Sequence, residues 1–311
     1  MAGAGGTARL QAVDVYRGLA LVAMAAYHTT WDLNYYGLID VGIGVDPLWI
    51  TLQRSILTAF LLLAGAGLTL GHANGINWRA FGRREVVLIA AAAAVSIGTW
   101  FLFQSAFAWF GVLHLIALAS LLALPFVVAP LWAGILATIV VLVLPALYSS
   151  DLFDPPWLDW LGFFKVTPET ADLVPLFPWL GVMLIGVIGM RLLRERPAFT
   201  WSSGNRAVKG LALLGRWSLL FYLVHQPILF GIVTPIANWV NTSEQAKLTG
   251  FTQSCLKSCG ENQGKAEGAG ALQFCTNYCT CALDITVRDN LWDAPVDRLK
   301  SMSTLCTAMS Q

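Results

Sequence analysis

The segment RLQAVDVYRGLALVAMAAYHTTWDLNYYGL, residues 9–38, decides the fold of this chain. It is long enough to cross a bilayer as a helix, yet it carries ionisable side chains in its interior. Arg17 and His28 are eleven residues apart, which is about three helical turns, so both lie on one stripe. Asp14 precedes Arg17 by three residues, and Asp32 follows His28 by four. Because charge is costly at membrane depth, these side chains are functional candidates.

A plainer interpretation of the same segment stays open. Asp14 and Arg17 would then be interfacial anchors, and His28 would be a polar residue packed between helices. The placement of the other histidines along the chain decides between the two interpretations.

The composition is that of a polytopic membrane protein. Of 311 residues, 57% are hydrophobic and only 12% are charged, whereas a soluble domain has about 25% charged residues. The net charge of +1 argues against nucleic acid as a partner. The first apolar run lacks the pattern of a cleavable signal peptide, so we expect it to be retained.

Seven apolar runs predict an all-α, polytopic transmembrane bundle of about seven spans. The predicted bundle covers residues 1–240, and a small helical tail covers residues 241–311. The approximate limits of the runs are 15–38, 48–71, 86–104, 109–128, 131–148, 174–191 and 211–235.

The distribution of basic residues predicts the orientation. The connections after the second and sixth runs are rich in arginine, whereas the alternate connections are acidic. Since cytoplasmic loops carry the excess of Lys and Arg, we expect a cytoplasmic N-terminus and an extracytoplasmic C-terminus. The acidic and aromatic segment 150–173 is either a loop that caps a site or a passive outer connector.

This topology places three histidines from three different helices in the outer half of the membrane. They are His28, His114 and His225, and Arg54 reaches the same level. We therefore predict a shared polar chamber, which Gln226 and Trp179 also adjoin. Taken singly, each histidine is equally compatible with an ordinary hydrogen bond between helices.

The predicted chamber has the groups needed for acid–base chemistry. A neutral histidine with a carboxylate one turn away is an oriented general base. A nearby arginine can bind an anion or stabilise an oxyanion. The first 250 residues contain no cysteine, which excludes thiol catalysis there.

The pattern of motifs resembles a known family of membrane acyltransferases. Arg17, followed by ten residues and then His28, is similar to the Arg-x10-His opening of these enzymes. The fuller pattern resembles bacterial relatives of heparan-alpha-glucosaminide N-acetyltransferase over roughly residues 9–232. It comprises His28-x3-Asp32, FLLLAGAGLTL (Phe60–Leu70), GVLHLIALASLL (Gly111–Leu122), VPLFPWLGVMLIG (Val174–Gly186) and LGRWSLLFYLVHQPIL (Leu214–Leu229).

The resemblance implies transfer of an acetyl group from cytosolic acetyl-CoA to an extracytoplasmic amino sugar or glycan. His28 matches the family's catalytic histidine, and Asp32 is expected to set its tautomer. No metal is expected. We expect a multi-pass protein of the bacterial inner membrane, embedded in the lipid bilayer, with a periplasmic tail. Assembly as a homo-oligomer is compatible with the sequence. The binding residues are predicted as Arg17, Arg83 and Arg84 for acetyl-CoA, and Arg54, His114, Trp179, His225 and Gln226 for the acceptor.

Two other classes of function compete with the enzyme. A His/Asp/Arg chamber is also typical of a transporter that relays protons or binds an anionic solute, although internal repeats that would favour this are not evident. Paired histidines on facing helices can also ligate haem iron.

All six cysteines follow residue 250. Cys255-x3-Cys259 and Cys275-x3-Cys279 each place two sulfurs on one helical face, with a spacing similar to twin CX3C helical hairpins. An antiparallel hairpin would pair Cys255 with Cys279 and Cys259 with Cys275, which leaves Cys281 for Cys306. Fifteen connectivities are possible, and a zinc site is the rival interpretation.

Overall fold

The structure is a computed structural model that describes residues 10–44, 46–166, 168, 170, 172–240, 244–263, 269–289, 291–292 and 294–310. These residues form helices and no strand, which confirms the predicted all-α class. In chain order the α-helices are α1 (Gln11–Tyr35), α2 (Pro47–Gly71), α3 (Trp78–Phe103), α4 (Val112–Ala123), α5 (Leu131–Leu147), α6 (Leu176–Leu193), α7 (Pro197–Thr200), α8 (Arg206–Arg216), α9 (Ser218–Val240), α10 (Glu244–Gln263), α11 (Ala269–Arg288) and α12 (Val296–Met309).

Four of the described helices are long and apolar enough to cross a membrane, so the prediction of seven spans is confirmed only in part. They are α2, α3, α6 and α9. Helix α4 has 12 residues and gives way to a 3₁₀ turn that contains Pro125, and α5 has 17 residues. Helix α1 has 25 residues, but its charged side chains make it less apolar than the four.

Two predicted runs have different limits in the structure. Helix α3 begins at Trp78 because the Asn77 side chain caps it, accepting the Ala80 N–H at 3.0 Å. Arg83 and Arg84 therefore lie within the first turns of a helix and not in a loop. The run 211–235 is divided at Trp217, where α8 ends and α9 follows.

Helices α2 and α6 are in backbone contact through two glycines. A Cβ atom on Gly65 would meet the Met183 carbonyl oxygen, and one on Gly186 would meet the Leu62 carbonyl oxygen. The Thr69 hydroxyl donates a hydrogen bond across the same interface to the Val187 carbonyl at 3.2 Å. Small residues that let helix backbones approach are the usual basis of helix pairing in membranes. The core around this pair is Leu61, Leu68, Leu115, Met183, Leu184 and Val187.

The chain divides into two compact units. One consists of residues 1–30 and 42–229, and it holds most of the apolar helices. The other consists of residues 31–41 and 230–311, and it holds the cysteine-rich segment.

The cysteine-rich segment is a disulfide-linked set of helices. Disulfides Cys255–Cys279 and Cys259–Cys275 join α10 to α11, and Cys281–Cys306 joins α11 to α12. This is the pairing suggested by the spacing, and it occupies all six sulfurs that a zinc site would need. A small core forms around Cys306 with Ala282, Ile285 and Leu291.

We expect Gly186→Ala to lower the thermal unfolding midpoint of the detergent-solubilised protein. The added methyl group meets the Leu62 carbonyl, and overpacking of this kind costs about 1–3 kcal/mol. Gly98→Ala in α3 is the matched control, because its Cβ enters open space. Equal midpoints for the two variants would contradict the backbone contact.

We expect reductant to make residues 250–311 sensitive to protease while the apolar helices stay intact. Three short helices have a small core, and loss of one native disulfide costs a small domain about 2–5 kcal/mol. Limited proteolysis followed by mass spectrometry, with and without dithiothreitol, measures this. Identical fragments under both conditions would mean that the disulfides do not stabilise the segment.

Candidate active site

The first unit brings two of the predicted histidines into direct contact. The imidazole rings of His28 on α1 and His225 on α9 meet edge to face with their centroids 5.1 Å apart. His225 is 7% exposed, and its Nδ1 lies 2.7 Å from the Tyr222 carbonyl oxygen. Since a carbonyl only accepts, Nδ1 carries a proton, and neutral His225 has its lone pair on Nε2. This Nε2 is buried without a hydrogen-bond partner among the described residues.

Aromatic rings surround the histidine pair. Tyr27 lies edge-on to His28 at 5.8 Å and also contacts Trp49 on α2 at 6.2 Å. Phe221 stacks on His225 with 5.9 Å between centroids. Apolar rings around a polar group lower the local dielectric, which strengthens its polar interactions. The edge-to-face contact also leaves no space for a haem plane between the two imidazoles.

The third predicted histidine has a separate set of partners. His114 Nδ1 accepts the Gly111 N–H at 3.2 Å, so its proton is on Nε2, 3.2 Å from the Ser96 hydroxyl oxygen. Ser96 in turn donates to the Ala108 carbonyl at 2.7 Å. No ring contact or hydrogen bond joins His114 to either other histidine within the described residues. His114 is therefore held by α3 and by its own N-terminal turn.

The acidic segment before α6 packs against the start of α4. Asp172 Oδ2 accepts the Val112 N–H at 3.2 Å, and the Val174 N–H donates to the Phe110 carbonyl at 3.0 Å. The ring of Phe110 contacts both His114, at 5.9 Å, and Trp160 of the acidic segment, at 5.4 Å. The acidic segment is therefore packed on the N-terminal turn of α4, beside His114.

Two carboxyl groups of this segment were not predicted as site residues. Burial raises the pKa of the Asp159 carboxyl to about 6, and burial also raises the pKa of Asp172 to about 6. Asp159 is fully buried, and the backbone N–H of Trp160 partly offsets the effect of burial on the pKa of its carboxyl. The only sequence signal was an acid set among aromatic residues, which is too common to single out a site.

Two predicted donor-binding arginines make contacts within the protein. Arg17 lies 3.5 Å from Asp14, donates to the Leu63 carbonyl at 3.3 Å and packs on Gly67. Arg84 pairs with Glu85 at 3.1 Å and donates to the Ser120 hydroxyl at 3.1 Å.

The remaining predicted residues differ in exposure. Asp32 is fully buried and belongs to the second unit. Trp179 is partly buried against the core around α2 and α6, and the Gln226 Oε1 atom is buried. Arg54 and Arg83 are exposed. Arg54 lines a surface depression on α2 together with Thr51, Ser55, Thr58, Ala59 and Leu62.

The fold and the site define a class of protein: an α-helical membrane protein in which a partly buried histidine contacts a buried one. The chain belongs to the family of the heparan-alpha-glucosaminide N-acetyltransferase catalytic domain, whose sequence profile matches residues 9–227. Membership makes it one of a family of membrane acetyltransferases that is named for action on a glucosamine-type acceptor. No curated protein sequence and no solved structure matches the chain.

We expect Asp159→Asn to stabilise the protein at pH 7.5 by about 2–3 kcal/mol, because each unit of pKa shift is worth about 1.4 kcal/mol. The folded-state pKa lies above the ordinary value, so the ionised carboxylate penalises the folded state above pH 6. Below pH 4 the carboxyl is protonated in both states, and the gain disappears.

Thermal unfolding across this pH range measures the effect. The control is Asp151→Asn on the same segment, because the exposed Asp151 side chain pairs with Lys165 at 3.0 Å. A gain for Asp159→Asn that does not change with pH would show that the carboxyl is not buried as described.

Proposed function

We propose that this protein is an integral membrane acetyltransferase that uses acetyl-CoA from the cytoplasm and acetylates an amino or hydroxyl group of an extracytoplasmic sugar or glycan. His28 is the general base. The observation that carries this proposal is the ring contact between the partly buried His28 and the buried His225 in a chain of the acetyltransferase family. The setting is the bacterial inner membrane, with a cytoplasmic N-terminus and a periplasmic tail.

The reaction needs one well-placed base. The acceptor nitrogen attacks the thioester carbonyl carbon, and His28 takes the proton that the nitrogen loses. The carbon–sulfur bond then breaks, and the proton passes from His28 to the departing thiolate. General base catalysis by a positioned histidine contributes about 10²- to 10⁴-fold to the rate.

His225 and Asp32 are the proposed positioning residues for His28. The proton that His225 donates to Tyr222 fixes the lone pair on its Nε2 atom, which makes it an acceptor for an N–H of the neighbouring imidazole. Asp32 follows His28 by one helical turn, so its carboxylate is the second candidate for setting the tautomer. A fixed tautomer keeps the basic nitrogen directed at the substrate.

The donor and the acceptor approach from opposite ends of the bundle in this proposal. Arg83 is exposed and suits the phosphates of acetyl-CoA, whereas Arg17 and Arg84 shape the donor side through their contacts within the protein. On the acceptor side, the proposed contacts are Arg54, His114, Trp179 and Gln226, beneath the acidic segment.

We expect His28→Ala to lower the rate of acetyl transfer to glucosamine by at least about 10²-fold, because it removes the base. The control is His72→Asn, since His72 accepts the Asn77 N–H at 3.2 Å and lies outside the proposed site. Transfer of labelled acetyl groups by purified protein in liposomes gives the rates. Wild-type turnover by His28→Ala would exclude the proposed role.

We expect His225→Phe to reduce kcat about tenfold or more while KM changes little, because an aromatic ring still packs on Phe221 but the orienting nitrogens are lost. Phe221→Leu is the comparison, since it alters the same packing and keeps both nitrogens. Steady-state kinetics with varied glucosamine separate kcat from KM. Equal losses in the two variants would assign His225 a structural role only.

A further inference from the structure

One carboxyl group of the acidic segment is held in place on both sides and has no part in the reaction described above. It belongs to Asp172. Before it, the Thr170 hydroxyl donates to the Phe107 carbonyl at 2.8 Å, and after it, the Val174 N–H donates to the Phe110 carbonyl at 3.0 Å. Both hydrogen bonds attach the segment to the residues that precede α4, so the fold sets the position of the Asp172 side chain.

Only one oxygen of this carboxyl group is used within the described part of the protein. The Oδ2 atom accepts the Val112 N–H at 3.2 Å, and a Cβ atom on Gly111 would meet it, so this approach requires a glycine. The Oδ1 atom has no hydrogen bond to another described residue. Since Asp172 is partly exposed, Oδ1 can accept a hydrogen bond from a ligand.

A chain of contacts connects Asp172 with the two contacting histidines. Tyr222 on α9 is close enough to Asp172 for an electrostatic interaction between them. The ring of Tyr222 lies 5.8 Å from the ring of His225, and the Tyr222 carbonyl oxygen is the one beside His225 Nδ1. His225 in turn contacts the ring of His28 at 5.1 Å. Two side chains therefore connect Asp172 with the proposed base.

An amino sugar presents a chemical requirement that His28 alone does not meet. The amine of glucosamine is largely protonated at neutral pH, since a comparable α-amino group has a pKa of about 7.7–8.0. An ammonium nitrogen has no lone pair and cannot attack a thioester. The nitrogen must therefore lose two protons in all, and in the proposed mechanism His28 takes only the second.

The Asp172 carboxyl has the charge and the basicity to accept the first proton. A carboxylate binds an ammonium group through a strong, charge-assisted hydrogen bond. Because burial raises its pKa to about 6, the group is ionised at pH 7.5, yet it is more basic than an ordinary aspartate with a pKa of about 3.9. The titratable side chains on the adjoining elements are His114 on α4 and Tyr222 and His225 on α9, and no described cation forms an ion pair with Asp172.

From these contacts we infer that Asp172 binds the acceptor amine and takes its first proton, an inference that deepens the proposed function and rests on it for the reaction. The ammonium donates a hydrogen bond to Oδ1, its N–H bond breaks, and the bonding pair stays on nitrogen as the lone pair that attacks the thioester carbonyl carbon. His28 takes the second proton and gives it to the departing thiolate. The proton on Asp172 leaves to solvent, so each transfer to an ammonium acceptor releases one proton.

Binding of two sugars tests the assignment without any chemistry. Glucosamine and glucose differ only at carbon 2, which carries an amine in one and a hydroxyl group in the other. At pH 7 we expect the full-length protein to bind glucosamine at least about tenfold more tightly than glucose, because a hydrogen bond to a charged group is worth more than a neutral one. Asp172→Asn should bind both sugars alike, since its amide oxygen can still accept the Val112 N–H but carries no charge. Isothermal titration calorimetry in detergent measures both affinities.

The matched control for this substitution is Asp154→Asn. Asp154 lies on the same segment, and its carboxylate accepts the Lys165 N–H at 2.7 Å and the Val166 N–H at 3.2 Å. The control makes the same change of charge within the segment, and we expect it to keep the wild-type preference for glucosamine.

The pH dependence of acetyl transfer separates the proton step from a role in folding. With glucosamine as acceptor, we expect Asp172→Asn to lower kcat/KM by at least about tenfold at pH 7, because it removes a proton acceptor. At pH 9 the solution already supplies the free amine, so the variant should come close to the wild type. His28→Ala should remain impaired at both pH values.

Three results would overturn the assignment. They are the absence of a preference for glucosamine in the wild type, an undiminished preference in Asp172→Asn, and a kinetic loss that is equal at pH 7 and pH 9. A preference that depends on Asp172, without acetyl transfer by the wild type, would overturn only the proposed function. Transfer without such a preference would overturn only the assignment of Asp172.

Discussion

The constraint on which this structure depends is the cost of placing ionisable groups inside an apolar helical bundle. Two of these groups are held by partners both on their own helix and on a neighbouring one. Arg17 contacts Asp14 on α1 and the Leu63 carbonyl on α2, and His114 contacts the Gly111 N–H of its own turn and Ser96 on α3. The contact between His28 and His225 is different, because it leaves a buried imidazole nitrogen without a hydrogen-bond partner among the described residues. In the proposed function this nitrogen, which belongs to His225, orients the imidazole of His28.

Small residues on α2 and α6 account both for the close packing of these helices and for the groove beside them. Gly65 and Gly186 let α2 and α6 meet backbone to backbone, which fixes two long apolar helices against each other. Along the neighbouring face, small residues such as Ala59 and Gly189 line an apolar groove of about 720 Å³, and nothing lies within 4 Å of a Cβ built on Gly189.

Much of this architecture follows from the sequence, and the exceptions have physical causes. Hydrophobic runs located the helices, and their order predicted that His28, His114 and His225 lie at one level of the membrane. The structure brings the rings of His28 and His225 into contact, whereas His114 has separate partners. The brevity of α4 was missed because Pro125 replaces its last turn by 3₁₀ geometry. The hydrogen bond between Arg84 and Ser120 was not predicted, because the two residues are 36 positions apart in the sequence. The hydrogen bond from the Val112 N–H to Asp172 was not predicted either, because it depends on the path of an irregular segment.

The central proposal is that the contacting imidazoles of His28 and His225 serve a transfer across the membrane, from a donor on one side to an acceptor on the other. Its most direct test uses sealed inside-out vesicles that contain the protein, with labelled acetyl-CoA outside and glucosamine trapped in the lumen. The account predicts labelled N-acetylglucosamine in the lumen of wild-type vesicles and none in vesicles that carry the His28→Ala protein. Product that appears only outside, or equal luminal product from both kinds of vesicle, would contradict it.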